Sequence, residues 1–139
     1  MNRRRLLWGA APVLGALALW PGGTGLRWPG GTAPGSAGRL AAVLRQPASA
    51  ARIGRAYLAA HPAEAELTLL VEGVVGGWDD AEGWLERAGP GELRARLRAQ
   101  IRADFAARRT VSVQGWVLAR TEARLFGLAA LRAGWAAPC

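Results

Sequence analysis

The sequence predicts an all-α protein, a small orthogonal or up-down bundle of four to five helices with a short extended segment near residues 110–114. Apolar residues recur at helical spacing in three stretches, and no stretch sustains the two-residue alternation that a sheet strand needs. The composition, 51% apolar and 20% charged, suits one globular core. A single helical domain therefore accounts for most of the chain.

The first helices are expected directly after residue 38. Residues 39–46 form a short helix candidate that Pro47 closes, and Ser49 is a plausible N-cap for a helix through Ala60. Ile53 and Tyr57 would face inward from that second helix. His61-Pro62 should break it, with Pro62 in the first turn of the next helix.

The middle of the chain predicts one amphipathic helix and one short helix. Spacing of i, i+3, i+4 and i+7 places four apolar side chains on one face. They are Leu67, Leu70, Val71 and Val74. Gly76-Gly77 should end this helix, and Trp78-Asp79-Asp80 should open a short one that runs to Ala88.

Two further helices complete the predicted bundle. A long one should run from Gly91 to Ala107 with an apolar stripe on every fourth residue, and a last one should end at Gly134. The stripe consists of Leu93, Leu97, Ile101 and Phe105, and the last helix would bury Leu125, Leu128 and Ala129. Either Thr121 caps that helix, or Glu122 alone satisfies a backbone donor.

Between these two helices, Val111 and Val113 alternate with polar neighbours over too few residues to build a sheet. We read them as a brief extended crossing that brings Trp116 and Leu118 inward. Trp116 is then expected to anchor the core, and its replacement by alanine should cost about 3–5 kcal/mol. Replacement of Trp135, near the chain end, by alanine should lower the free energy of unfolding by under about 1 kcal/mol.

The N-terminus carries the most recognisable motif. Residues 2–8 read N-R-R-R-L-L-W and precede an apolar run from Leu6 to Trp20. The order of a polar residue, paired arginines and two large apolar residues resembles a twin-arginine signal peptide. Its signal positions are Arg3, Arg4, Leu6 and Leu7. The resemblance implies export of a folded protein to the periplasm or out of the cell.

The organisation that follows is a signal and linker over residues 1–37 and a helical domain over residues 38–139. Residues 21–38 are rich in Gly and Pro and are expected to lack regular structure. Cleavage of the signal is expected after Ala37, because Gly35-Ser36-Ala37 offers the small residues that a signal cleavage site requires. An apolar run of about 15 residues is short for a membrane span, which takes about 20. A membrane tether is expected only if the signal stays uncleaved.

The charge of +8 does not indicate a nucleic-acid partner. All 18 basic residues are Arg, and four of them lie within residues 1–37, which leaves 14 Arg against 10 acidic residues. The arginines that cluster at residues 94–102 spread round the exposed part of a helix and lack aromatic platforms. We read them as a solvated face.

The sequence offers no motif for catalysis, metal or cofactor. His61, the one histidine, stands at a helix junction, where a capping or exposed imidazole is expected. The acidic residues 79–86 lack the twelve-residue calcium-loop pattern. Cys139, the one cysteine, has no partner within the chain, so a disulfide with another chain, a metal site shared with another chain and an unpaired thiol all stay open. We therefore expect no cofactor and no metal.

Two functions stay open. The first is an exported helical accessory protein, a partner subunit of a larger exported complex such as a dehydrogenase, whose protein partner binds an exposed aromatic patch at Trp78 and Trp84. The second is a small exported enzyme or cofactor binder whose site uses ordinary residues. That site would draw on Asp104, Arg120, Glu122 and His61.

Overall fold

Six α-helices and one β-hairpin make up the part of the chain that the computed structural model describes, residues 32–136. The helices are α1 (Thr32–Ala41), α2 (Pro47–Ala60), α3 (Leu67–Val75), α4 (Ala81–Arg87), α5 (Pro90–Ala106) and α6 (Arg120–Arg132). A 3₁₀ helix, Pro62–Glu64, joins α2 to α3. The strands β1 (Thr110–Val113) and β2 (Trp116–Ala119) lie between α5 and α6. The protein is thus mostly helical.

The hairpin corrects the all-α prediction, because the extended segment is one strand of an antiparallel pair. Val113 pairs with Trp116, and Thr110 pairs with Ala119. Gln114 and Gly115 form the turn with φ values of 48° and 83°. Positive φ at both positions of a two-residue turn matches the twist of paired strands. Each strand has only four residues, so the alternation of apolar and polar residues is too short to indicate a sheet.

Helices α2 and α6 form the central pair, and two glycines let them approach closely. A Cβ atom placed on Gly54 of α2 would lie 1.9 Å from the carbonyl oxygen of Phe126. On α6, a Cβ at Gly127 would stand 3.2 Å from Leu70 and 3.3 Å from Leu58. Backbone packing at this crossing therefore excludes any side chain at Gly54.

The core lies around this crossing and is closed by α1, α3, α4, α5 and the hairpin. Its largest fully buried side chains come from all six helices. They are Leu40, Tyr57, Leu58, Leu70, Val71, Val74, Val75, Leu85, Leu93 and Leu128. The face that the sequence predicts for residues 67–74 is confirmed at Leu70, Val71 and Val74.

Helix α1 begins inside the stretch that we expected to be irregular. It runs from Thr32, and Ala37 and Leu40 are fully buried in the core. Its Arg39 guanidinium donates hydrogen bonds to the carbonyl oxygens of Glu86 and Ala88, which satisfies the C-terminal end of α4. Small residues here permit close packing instead of preventing structure. A cut after Ala37 would fall within this helix.

The helix ends differ from their predicted caps in two places. Helix α2 starts at Pro47, which occupies its first turn, so Ser49 lies inside the helix and is not its N-cap. Pro62 starts the 3₁₀ helix instead of α3. The predicted stop at Gly134 is confirmed, since α6 ends at Arg132 and Gly134 has a φ of 85°.

The apolar stripe of α5 reaches the core over only part of its length. Leu93 and Leu97 are buried, Ile101 is half-buried, and Phe105 is 45% exposed. A fourth-residue repeat drifts round a helix of 3.6 residues per turn, so the stripe leaves the packed face near the C-terminus.

Candidate functional site

The junction of α5, the hairpin and α6 is organised by one buried carboxylate. Asp104, on the last turn of α5, accepts hydrogen bonds at Oδ2 from the Thr121 backbone N–H at 2.9 Å and from the Thr121 hydroxyl at 2.6 Å. Its Oδ1 accepts the Nε–H of Arg109 at 2.8 Å. Ala119 stands at the N-cap of α6 and has no side-chain acceptor. Asp104 supplies that acceptor from another helix.

A chain of hydrogen bonds leads from this carboxylate to the start of α4. The Gln100 amide donates to the Thr121 hydroxyl oxygen at 3.0 Å and to the Val74 carbonyl oxygen at 2.7 Å. The Trp78 indole N–H donates to the Gln100 side-chain oxygen at 2.5 Å. Every member has a partner, so the network adds specificity without an uncompensated polar group.

The network also sets the charge of Asp104. Burial raises the pKa of this carboxyl, but the hydrogen bonds from Thr121 and the Arg109 guanidinium outweigh burial and leave it below its ordinary value. Asp104 is therefore ionised at neutral pH and fully engaged as an acceptor. That state suits a structural acceptor better than a general base.

A cleft of about 280 Å³ opens above this network. Its wall and floor are formed by Gly73, Val74, Gly77, Trp78, Gln100, Asp104, Arg109, Arg120, Thr121 and Arg124. Arginine dominates its charged residues. We call it the arginine cleft.

The hypothesis of a small enzyme or cofactor binder placed its site at four residues. The structure brings two of them, Asp104 and Arg120, together in this cleft. Glu122 lies next to them in sequence, on the first turn of α6 and near the Ala119 backbone N–H, but it does not line the cleft. Neither capping alternative describes α6, because the Thr121 hydroxyl donates to Asp104 and the same carboxylate accepts the Thr121 backbone N–H. Burial raises the pKa of Glu122, and the Ala119 N–H offsets only part of that rise.

His61 lies elsewhere, at the C-terminal cap of α2. Its Nδ1 is 3.0 Å from the Tyr57 carbonyl oxygen, and its ring stacks on the Tyr57 ring with centroids 4.5 Å apart. The expectation of a capping imidazole is confirmed. His61 does not line the arginine cleft.

Beside His61, an ion pair joins the 3₁₀ helix to α6. Arg124 donates to both Glu64 carboxylate oxygens at 3.0 Å, and the Tyr57 hydroxyl donates to Glu64 Oε2 at 2.5 Å. Burial raises the pKa of Glu64, but these bonds outweigh it and lower the pKa overall. Arg124 also donates to the Gly73 carbonyl oxygen at 3.0 Å, so its guanidinium is engaged in contacts that hold α3, the 3₁₀ helix and α6 together.

The expected aromatic patch at Trp78 and Trp84 is corrected by the structure. Trp78 is only 8% exposed, and Trp84 is half-buried against the core. The two indoles meet edge to face with centroids 5.3 Å apart, and the Arg96 guanidinium covers both rings at 4.5 Å and 4.8 Å. The bond from Trp78 to Gln100 draws the first ring inward. These tryptophans close the core instead of forming an exposed surface.

Trp116 is the second correction, because it is 67% exposed and does not anchor the core. Paired with Val113 beside the turn, it lies at the tip of the hairpin, beyond the helices that cover Val113 and Leu118. Those two side chains are 4% and 7% exposed, while the neighbouring Val117 is 60% exposed. We call Trp116 and Val117 the hairpin tip. No sequence signal separated it from the core, since the turn decides how far each side chain projects.

Several expectations lie outside the described residues. They concern the signal positions Arg3, Arg4, Leu6 and Leu7 and the terminal Cys139. Within residues 32–136, no helix combines the length and apolar character that crossing a bilayer requires. No three His, Cys, Asp or Glu side chains are grouped to hold a metal ion in that same part.

Comparison with protein-family models, with curated proteins and with solved structures finds no match to this chain.

Proposed function

We propose that this protein is an exported helical accessory subunit that binds a larger protein partner through its hairpin tip. The observation that carries this proposal is the 67% exposure of Trp116 beside the 60% exposure of Val117. Trp116 and Val117 follow each other in β2, so they expose large apolar side chains on the two faces of the hairpin end, and exposed apolar area of this kind marks interaction surfaces. Trp is also enriched among the residues that dominate binding energy.

The rigidity of the hairpin supports a preformed binding surface. Val113 and Leu118 fix its inner face in the core, and the Arg120 backbone N–H donates to the Arg109 carbonyl oxygen at 2.9 Å at its base. A side chain presented on such a scaffold loses little further freedom on binding. Trp116 can therefore act as an anchor in a pocket of the partner.

The positive charge around the hairpin indicates which kind of protein surface it can bind. Residues 105–120 contain Arg108, Arg109 and Arg120 and no acidic residue. A partner with an apolar pocket rimmed by carboxylates complements this combination, because opposite potentials steer association and reject wrong partners. We thus assign an acidic protein surface as the occupant.

The export part of the proposal rests on the N-R-R-R-L-L-W motif and the apolar run behind it. The twin-arginine route, as the resemblance implies, carries folded proteins. A small domain that travels with a folded partner fits that route. Trp78, which is buried, and Trp84, which is half-buried, lie outside the proposed interface.

Co-purification of the full chain from a periplasmic extract tests the proposal. The wild-type chain should retain one stoichiometric partner, and Trp116→Ser should lose it. Leu69→Ser is the matched control, because Leu69 is an exposed apolar residue on α3 at 43%. Arg108→Glu should weaken capture, and so should about 1 M salt, where the screening length falls to ~3 Å.

Retention of the partner by Trp116→Ser, or its loss from Leu69→Ser as well, would overturn the assignment. A partner whose contact surface lacks carboxylates would do so too. Binding of the purified chain to anionic lipid vesicles, abolished by Trp116→Ser, would assign the tip to a membrane surface and would equally count against a protein partner.

A further inference from the structure

Arg109 and Arg120 stand opposite each other at the open end of the hairpin. Thr110 pairs with Ala119, and one step further the Arg120 backbone N–H donates to the Arg109 carbonyl oxygen at 2.9 Å. Both side chains line the arginine cleft. Like charges placed directly opposite on paired strands destabilise a hairpin. The pair therefore needs a source of negative charge.

The protein supplies only part of that charge. Three ion pairs occur among the described residues, and Arg120 takes part in none of them. Arg109 uses its Nε–H on Asp104, which leaves its two terminal amino groups outside that bond. Glu122 forms no ion pair with either guanidinium among the described residues. The mouth of the cleft is thus positive.

The other polar groups of the cleft are already engaged. Asp104 accepts from Thr121 and Arg109, and the Gln100 amide donates to Val74 and Thr121. Arg124 binds Glu64 and Gly73. The backbone N–H groups of Arg120 and Thr121, the first two donors of α6, are bonded to the Arg109 carbonyl oxygen and to Asp104.

We propose that the arginine cleft binds a small oxyanion, a phosphate or carboxylate group carried on a small organic molecule, between Arg109 and Arg120. A guanidinium presents paired N–H donors whose fork matches carboxylate and phosphate oxygens. The cleft volume of about 280 Å³ lies near the lower end of small-molecule sites, which begin at about 300 Å³. That space holds the anionic group together with a short organic body beside Trp78.

This site is separate from the hairpin tip, since Trp116 and Val117 do not line the cleft. A ligand there would neutralise the pair at the base of the hairpin while the tip stays exposed. The two proposals share the charge of Arg109 and Arg120, but each has its own anchor. Trp116→Ser tests the protein partner and leaves the cleft intact, whereas Arg120→Gln tests the anion site and leaves Trp116 in place.

Calorimetric titration of the full chain with inorganic phosphate, and separately with succinate, tests the proposal. We expect saturable binding of one anion per chain. Arg120→Gln should weaken it at least about tenfold, the loss expected for a charge-assisted hydrogen bond. Arg120→Lys should weaken it less, because the charge remains while the fork is lost. Arg98→Gln is the matched control, since Arg98 is an exposed arginine on α5 outside this cleft.

Thermal melting gives a second readout. The bound anion should raise the midpoint of the wild type and of Arg98→Gln, and it should leave that of Arg120→Gln almost unchanged. Stronger binding of phosphate or of succinate then identifies which oxyanion the cleft prefers. Absence of saturable binding for both probes, or equal weakening in Arg98→Gln and Arg120→Gln, would overturn the proposal and leave only unspecific charge attraction.

Discussion

The Asp104 carboxylate occupies the place of an N-cap side chain for a helix that begins 16 residues later in the sequence. It accepts both the backbone N–H and the hydroxyl of Thr121, at 2.9 Å and 2.6 Å. A cap normally comes from the residue that precedes the helix, which here is Ala119. Because the cap comes from α5, formation of the α6 N-terminus depends on docking of α5 and on the intervening hairpin.

Removal of this carboxylate should therefore destabilise the whole domain. Asp104→Ala leaves the Thr121 N–H and hydroxyl without their acceptor and Arg109 without its partner. We expect a loss of about 2–3 kcal/mol in the free energy of unfolding, measured by urea titration. Asp79→Ala, which removes an exposed carboxylate, should stay within about 0.5 kcal/mol of the wild type. Equal effects of the two substitutions would contradict the remote cap.

The stabilisation from Asp104 should depend on pH in a defined direction. Its pKa in the folded protein lies below the ordinary value of 3.8, so the folded state favours the charged form. The contribution is present above the unfolded pKa and is lost as pH falls through the folded pKa. The difference in unfolding free energy between the wild type and Asp104→Asn should thus be constant near neutral pH and shrink in acid below about pH 4. Urea titrations over a pH series measure it, and a difference that grows in acid would show the reverse linkage.

Glu122 should show the opposite sign. Burial raises its pKa in the folded state, so its charged form is the less favourable one there. Its contribution to stability is present below the unfolded pKa and is lost as pH rises through the folded pKa. Glu122→Gln keeps an oxygen that can accept the Ala119 N–H but carries no charge. Its melting midpoint should exceed that of the wild type at neutral pH, and the gain should vanish in acid, where both side chains are neutral.

The crossing of α2 and α6 predicts a contrast between two glycine substitutions. Gly54→Ala would place a methyl group 1.9 Å from the Phe126 carbonyl oxygen, so the helices must separate. Overpacking of a core costs about 1–3 kcal/mol, and a clash with backbone should reach or exceed the upper value. Gly91→Ala meets nothing within 4 Å near the start of α5 and should stabilise by about 0.4–1 kcal/mol. Denaturant titration of the two variants checks both signs.

The tryptophans predict a second contrast, which reverses the order expected from the sequence. Trp116→Ala should cost under about 1 kcal/mol, because 67% of this residue is exposed. Trp135 is half-buried and packs against the core, so Trp135→Ala should cost more than Trp116→Ala. Thermal melts of both variants decide the order. A loss near 3–5 kcal/mol for Trp116→Ala would restore the sequence-based interpretation of a core anchor.

Most of the helical architecture follows from the sequence itself. The spacing of Leu67, Leu70, Val71 and Val74 places them on one helical face, and a helix buries whichever face is apolar. Gly134 stops α6 because it adopts a left-handed backbone conformation with little strain. Such patterns are local, so the residues that cause them are also the residues that show them.

The candidate site was predictable only in part. Asp104, Arg120 and Glu122 could be singled out as polar residues near a helix boundary, but nothing in the sequence pairs Asp104 with Thr121 or Gln100 with Trp78. Those contacts join residues 17 and 22 positions apart. They require α5, the hairpin and α6 to be packed first.

The sequence alone determined which segments form most of the helices and where most of those helices end. It also determined that the apolar face of each helix must be buried. Tertiary structure decided which of the large aromatic residues would be covered. Trp78 became buried because Gln100 and Arg96 meet it from α5, while Trp116 stayed exposed because a two-residue turn carries it past the edge of the core. Apolar character is a property of a side chain, but burial is a property of its neighbours, and those neighbours are chosen only when distant segments pack.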